Sequence, residues 1–489
     1  MRTLAATLAL LGLMAMGGPA RADEPPPAPE HTIDTGAMAE RGEFGPAITL
    51  EHIEIVGNHT TSRQVILRVL PFAIGDRMAA GDPRLRKARF KVLSLGFFRD
   101  VTMSMRRGSA HGQVVIIIGV EERGTVVLNR LWFGSSSIAP WWVGADLSER
   151  NLLGTGLSIG GGLVYASHDE VLGSRDQWAG EARLGIPSLC GGPWSLAFAL
   201  AAVRGSEAYR KSGASSQSDA EHYLAFPYRR TTARASASYD ITALARVSFG
   251  GRGELIDAEL PVAPTRVLPD GRSVPVALHL EPGRSQVLSG FASYDRDSRA
   301  DPLLPHSGSR LTIAAEVSGV FLGSSYDFAS LVARYERWWP LRLPRHALGV
   351  RVSGGLILGD APRFDWIHIA DVNRMLAPRA QGLLVSTNAP LQALGTAPEK
   401  ATEGELGGAA SVEYVYRLFD RKHSRIYAGD LFVGAGLWGL ADSAGVRTRD
   451  RALWDSLPID LFLDAGLRID TDIGVFELTV ANTLGRVPR

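Results

Sequence analysis

The sequence predicts a small α+β domain followed by a transmembrane antiparallel β-barrel, and three observations lead there. Strand and helix signals mix between Ile48 and Glu121 in the order strand, helix, helix, strand, strand. After Gly124 helical signals largely vanish and period-two alternation recurs, in stretches of about 10 residues with one greasy face and one face of charge, hydroxyl or glycine. An export signal precedes both parts.

Residues 1–22 read as that signal: Met1 and Arg2 are followed by the apolar run Leu4 to Met16, and Ala20-Arg21-Ala22 offers small residues for cleavage. The run is shorter than the ~20 residues of a spanning helix. Residues 23–46, with Glu24-Pro25-Pro26-Pro27-Ala28-Pro29, read as an exposed linker.

Residues 47–123 form the small domain. Ile48, Leu50, Ile53 and Ile55 make its first strand, turned by Gly57-Asn58. Thr61 or Ser62 caps a helix carrying Val65, Ile66, Val69 and Leu70, stopped by Pro71. Asp82-Pro83 starts a second helix with Leu85, Ala88, Val92, Leu93 and Leu95 on one stripe, ended by Gly96. Phe97 to Met105 and Gln113 to Glu121 read as two strands around a glycine turn.

Residues 124–489 form the barrel. Leu157, Ile159, Leu163 and Tyr165 alternate with Ser158, Gly160 and Gly162, and Leu311, Ile313, Ala315 and Val317 with Thr312, Glu316 and Ser318. A soluble sandwich alternates too. The aromatic pairs Trp132-Phe133, Trp141-Trp142 and Trp338-Trp339 at strand ends, together with the export signal, favour interfacial girdles around a membrane barrel. Strand starts near 126, 141, 156, 177, 193, 227, 242, 285, 308, 326, 346, 405, 424, 459 and 474 make 15. Bacterial single-chain barrels have even numbers, so about 16 are expected. Loops at 257–284 and 359–404 are long, the second marked as functional by its length.

Composition excludes other classes. The 489 residues carry 52 Lys plus Arg against 51 Asp plus Glu, a formal net charge of +1, so no nucleic-acid partner is expected. Cys190 is the single cysteine, which excludes an internal disulfide and a multi-cysteine metal cage. None of the lysines follows a glycine, so no phosphate loop is present. Gly434-Ala-Gly436-Leu-Trp-Gly439 matches a dinucleotide fingerprint in form only, without the βαβ setting. No His-Glu-x-x-His pair occurs. Asp295, Asp297 and Asp301 are a Ca²⁺ site or, more simply, turn acids. An enzyme is not indicated, and no cofactor or metal is called for.

These residues resemble a known family. Ile53-Glu54-Ile55-Val56-Gly57-Asn58, Gly75-Asp76, Leu95-Gly96-Phe97-Phe98 and Val120-Glu121-Glu122 are similar to a POTRA domain. Glu149-Arg150-Asn151-Leu152-Leu153-Gly154-Thr155-Gly156 resembles the first barrel hairpin of the BamA/TamA superfamily. Asp295-Arg296-Asp297 with Pro305-His306-Ser307-Gly308-Ser309, Gly407-Gly408 before Glu413-Tyr414, and Gly466-Leu467-Arg468 before Thr471-Asp472-Ile473-Gly474 continue the likeness in order.

The resemblance implies an outer-membrane protein that inserts or translocates client polypeptides, its POTRA domain in the periplasm and its barrel among outer-membrane lipid. Periplasmic or inner-membrane accessory subunits are left open. It implies a client-binding strand edge at Phe97 to Met105, with Phe98, Val101 and Met103 as candidates beside Phe97. It implies a weak seam between first and last strands, with candidates Thr125, Val127, Asn129 and Leu131 facing Phe476 and Leu478. It also implies a loop folded into the lumen with an Arg-Gly-aromatic tip. Here the loop reads Arg379-Ala380-Gln381-Gly382-Leu383, and the candidates are Arg379 and Gly382 with Glu413 as partner. The chain ends Val487-Pro488-Arg489, where family members end on an aromatic strand. The alternatives are a passive pore or structural barrel with a spacer domain, and a secreted all-β binding protein.

Overall fold

The computed structural model describes residues 48–483 apart from 80, 136–138, 169–175, 188, 190–191, 212–219, 243, 268–270, 369–378, 386–402, 421–424 and 442–458. The signal, the linker, Cys190 and Pro488 lie outside the described residues.

The chain opens with an α+β domain. Its elements are β1 (Ile48–Val56), α1 (Arg63–Leu67), β2 (Arg77–Met78), α2 (Pro83–Leu93), β3 (Phe98–Arg107) and β4 (Gln113–Glu122). The sheet order is β2-β1-β4-β3, with β1 parallel to β4 and the other neighbours antiparallel. Ser62 caps α1, and Asp82 caps α2 by accepting the Arg84 amide at 2.8 Å, with Pro83 in the first turn. The two helices bring Val65, Ile66, Ala88 and Val92 onto Leu50, Val101 and Ile116 of the sheet, all under 3% exposed. At about 25 cal/mol per Å² of apolar surface removed from water, this core is what holds so small a domain together. The first helix is shorter than the apolar spacing suggests. It ends at Arg68, and the chain continues to Leu70 in tight turns.

The barrel follows as β5 (Val126–Gly134), β6 (Trp142–Leu152), β7 (Leu157–Ala166), β8 (Gln177–Ile186), β9 (Trp194–Arg210), β10 (Tyr223–Asp240) and β11 (Ala245–Ala258). A loop hairpin, β12 (Thr265–Val267) and β13 (Ser273–Pro275), precedes β14 (Gly283–Asp297), β15 (Gly308–Ser318), β16 (Phe328–Pro340) and β17 (His346–Gly359). Four two-residue strands then lie in the long loop: β18 (Ile367–His368), β19 (Arg379–Ala380), β20 (Leu383–Leu384) and β21 (Glu403–Gly404). The wall closes with β22 (Leu406–Asp420), β23 (Ile426–Ala441), β24 (Ile459–Thr471) and β25 (Gly474–Thr483). Gly434 to Gly439 lies within β23, an ordinary wall strand.

The alternation has the physical cause read from it. Leu163, Leu200, Leu255 and Val433 point outward, 60–64% exposed, as a lipid-facing surface requires. Glu207, Glu254, Glu413 and Asp430 point inward and are buried. The aromatic pairs divide between the faces, because neighbouring residues of a strand point opposite ways. Phe133 and Trp339 are exposed at 74% and 40%, whereas Trp338 is 1% exposed and packs inside on Val415 and Phe432. No described helix is long and apolar enough to cross a membrane.

Fifteen strands form the main sheet among the described residues, each antiparallel to its neighbours, so the expected sixteenth is not found. The sheet order begins at β25 and ends at β5, and no ladder joins those two edges. One backbone hydrogen bond spans the seam, from the Leu128 amide to the carbonyl of Ile473 in the β24–β25 turn at 2.8 Å. The barrel is nearly closed.

Candidate functional site

Three features make up the candidate site: a docking surface at the β6–β7 turn, a long loop folded into the lumen and the open seam. The docking surface is the β6–β7 turn. Asn151, 2% exposed, donates its side-chain amide to Thr61 Oγ1 at 2.9 Å and accepts the Gly156 amide at 2.8 Å. The Gly154 carbonyl accepts the Ser62 amide at 2.9 Å, and a Cβ at Gly154 would lie 2.1 Å from the Thr60 carbonyl oxygen, so only glycine allows this approach. Arg68 donates to the Thr155 carbonyl at 3.1 Å. Glu122 sits beneath, accepting the Thr61 and Thr60 amides at 2.7 and 2.9 Å. Burial pushes the Glu122 carboxyl up, but the hydrogen bonds from Thr61 and Thr60 outweigh it and hold the group below its ordinary value. Across the seam, Arg123 pairs with Asp470 at 3.3 Å, and Arg99 and Arg123 stand over the Tyr427 ring.

The long loop between β17 and β22 folds into the lumen. Arg379, a candidate from the sequence, pairs with Glu207 on β9 and not with Glu413. The pair is bidentate, at 2.5 and 2.7 Å, and buried. Gly382, at φ 89°, turns the β19–β20 hairpin, and its carbonyl accepts the Tyr228 hydroxyl at 3.2 Å. Leu383 packs, fully buried, with Val164, Ala166 and Ala179 of the wall. A second clasp joins Arg252 of β11 to Asp365 of the loop at 2.8 and 2.6 Å, with Glu316 at 2.9 Å. Arg363 and Glu403 pair within the loop itself. Beyond these clasps, Phe364, Trp366 and Ile367 of the loop form an apolar dome with wall residues Tyr228, Trp438 and Phe462. On the domain side of the hairpin lies a cavity of about 1240 Å³, lined by Arg68 and Lys91 of the domain, Asn129 and Arg150 of the wall, and Gln381 and Gly382 of the loop.

Glu413 serves another network. It holds Arg351 at 2.7 Å and Arg468 at 2.5 and 2.8 Å, and Arg468 reaches Glu477 of β25 at 2.7 Å. Gly434, opposite Glu413 in register, leaves room for the Asp464 carboxylate of the next strand, whose oxygen would meet a Cβ at 2.0 Å. The acids at 295–301 turn to protein groups: Asp295 binds Arg310 at 2.7 Å, Asp297 binds Arg299 at 2.6 Å and Asp301 accepts the Leu303 amide at 2.8 Å.

The strand-edge candidates lie on and just ahead of β3. β3 is an edge strand of its sheet. Phe97, Phe98 and Val101 are buried inside the domain core, Met103 packs against it, and Arg89 occupies the Val101 carbonyl at 2.7 Å. What β3 presents to another chain is backbone. At the seam, Thr125 bonds Glu149 at 3.0 Å and Asn129 donates to Asp146 at 2.7 Å inside the lumen. Val127 is 7% exposed, while Leu131, Phe476 and Leu478 face outward. Glu207, Asp365, Arg252 and Asn151 were not singled out in the sequence; only the Glu149–Gly156 motif carried a signal, and it concerned the hairpin rather than docking.

The Omp85 superfamily domain matches residues 151–371. Among solved structures, BamA from Haemophilus ducreyi lacking POTRA domains 1–3 is 14% identical with a TM-score of 0.50, the match covering 90% of this chain and 81% of that one. CdiB from Escherichia coli is 12% identical with a TM-score of 0.57, covering 90% and 73%. CdiB from Acinetobacter baumannii is 10% identical with a TM-score of 0.50, covering 89% and 74%. At these identities the likeness is one of fold. No curated protein matches the sequence. Residues 151–371 thus carry an Omp85 superfamily domain, and the fold of the chain is similar to that of the BamA and CdiB barrels.

Proposed function

We propose that this protein handles client polypeptides at the outer membrane. The small domain, read as a POTRA domain in the periplasm, receives the client, and the seam between β5 and β25 hands it to the membrane. The observation that carries the reading is the seam: two edge strands with no ladder between them, held by a single backbone bond beside the domain. In hydrocarbon an unpaired backbone group costs several kcal/mol, so such an edge favours pairing with another chain. Client folding and strand pairing supply the driving force. The passive-pore alternative is disfavoured by the apolar dome and the two clasps that seat the loop across the lumen.

The test is to bridge Leu131→Cys and Leu478→Cys with a reductant-cleavable thiol cross-linker, in a Cys190→Ser background. Bridging is expected to abolish client insertion into the membrane while heat-modifiable migration persists, and cleavage to restore insertion. Unchanged insertion through a fully bridged seam would defeat the proposal.

A further inference from the structure

We infer that the cavity between the small domain and the loop hairpin binds an acidic stretch of polypeptide, held by Arg68, Lys91, Arg130 and Arg150. This rests on the client-handling reading and adds to it the chemistry of the chain that is received.

The argument begins with the charges on the cavity wall. Seven basic and three acidic side chains line it. The acids are all taken: Asp146 by Arg183 and by the Asn129 amide at 2.7 Å, Glu181 by Arg183 at 3.2 Å, and Asp240 by Arg246 at 2.6 Å. Arg230 has its own partner in Glu254 at 2.5 Å. That leaves Arg68, Lys91, Arg130 and Arg150, none of which meets a carboxylate among the described residues. Arg68 gives one N–H to the Thr155 carbonyl at 3.1 Å and keeps a buried Nε without an acceptor. Burial pushes its guanidinium below the ordinary value, the direction of a cation that has given up water and gained no counter-ion. Gln381, in the loop hairpin on the same lining, has both amide atoms buried without a partner.

Placement and size fix the kind of ligand. Arg68 caps the end of α1 and Lys91 lies on α2, while Arg130 is on β5 and Arg150 on β6, so positive charge faces the cavity from the domain and from the wall. A Cβ at Gly96 would lie 3.8 Å from a terminal nitrogen of Arg150, so the two sides meet there. Like charges along a cleft with low-dielectric walls focus the field and draw in an anion. At about 1240 Å³ the space exceeds the roughly 300–1,000 Å³ of a small-molecule pocket. Cations spread over four elements suit several negative charges along a chain better than one oxyanion. Ser148, Ser158, Ser195 and Thr232 on the same lining offer hydroxyls to the backbone of that chain.

The probe is a dye-labelled peptide alternating glutamate and serine, added to the full chain in phosphatidylcholine nanodiscs, with glutamine–serine and lysine–serine peptides as controls. Only the glutamate peptide is expected to raise the anisotropy, and to lose affinity in about 1 M salt, where the screening length falls to about 3 Å. Lys91→Gln/Arg130→Gln is expected to weaken binding about tenfold, as the loss of two solvent-screened charge contacts does. Arg284→Gln, an exposed arginine outside the cavity, is expected to leave it unchanged. With a bromoacetyl group on the peptide, alkylation is expected at Thr232→Cys on the cavity wall and not at lipid-facing Leu200→Cys, both in a Cys190→Ser background. Equal binding of the glutamate and glutamine peptides, or binding that Lys91→Gln/Arg130→Gln leaves unchanged, overturns the inference. Inorganic polyphosphate bound where the peptide is not assigns the cavity to a phosphate polyanion and overturns it too. No peptide bound while clients are still inserted in cells removes this inference and leaves client handling intact. A peptide that binds as expected to a parent that inserts no client removes the client-handling reading and leaves the preference of the cavity standing.

Discussion

Removing the Arg379 guanidinium strands the Glu207 carboxylate inside the lumen, and that asymmetry makes the pair a sharp test of the loop's seat. Breaking a buried pair by deleting one partner costs about 3–5 kcal/mol. Arg379→Ala is expected to lower the unfolding temperature of the barrel in detergent by a corresponding amount, read from heat-modifiable migration. A double-mutant cycle is expected to give coupling between Arg379 and Glu207 and none between Arg379 and Glu413, since Glu413 spends itself on Arg351 and Arg468. Coupling with Glu413 alone would mean the loop sits otherwise. The sequence singled out Arg379 and Glu413 as a pair, whereas the structure pairs Arg379 with Glu207 and Glu413 with Arg351 and Arg468. A carboxylate 172 positions away becomes the neighbour of Arg379 only once the sheet has curled and the loop has turned inward.

At the scale of elements, strand starts and domain order were legible because they depend on local alternation, caps and turns. The 15 strands visible in the sequence correspond to the 15 of the main sheet among the described residues. Docking was less legible. Asn151 and Gly154 act through groups about ninety residues away, which no local pattern reports. Asn151→Ala leaves the Thr61 hydroxyl and the Gly156 amide without their partner, a cost of about 1–3 kcal/mol. The domain is then expected to be released by protease faster than in the parent, with the barrel unaffected; equal release would remove Asn151 from the interface.

Glu122 gives the docking site a pH dependence of definite sign. Its folded value lies below the ordinary 4.5, so its stabilisation is fully present above that value and is lost as pH falls through the lowered folded value. Protection of the Thr60 and Thr61 amides in hydrogen exchange, corrected for intrinsic rates, is expected to collapse in that acidic window, and Glu122→Gln to remove the dependence. A collapse at the same pH in Glu122→Gln would assign it to another group.

At the scale of the whole molecule, the described part of the long loop is clasped inside the barrel and no ladder joins the two edge strands of the sheet. Planar-bilayer recordings are expected to find negligible steady current through the parent and added conductance in Arg252→Ala/Arg379→Ala, where both clasps are gone. A parent that conducts steadily would favour the pore. The most direct test of the central claim is photo-cross-linking in cells from a photoreactive residue at Leu131 or Leu478, with Leu200, equally lipid-facing in mid-wall, as control. Client polypeptides captured at the two seam positions and not at Leu200 are the result expected. Capture at all three alike, or at none, would contradict a seam that receives clients.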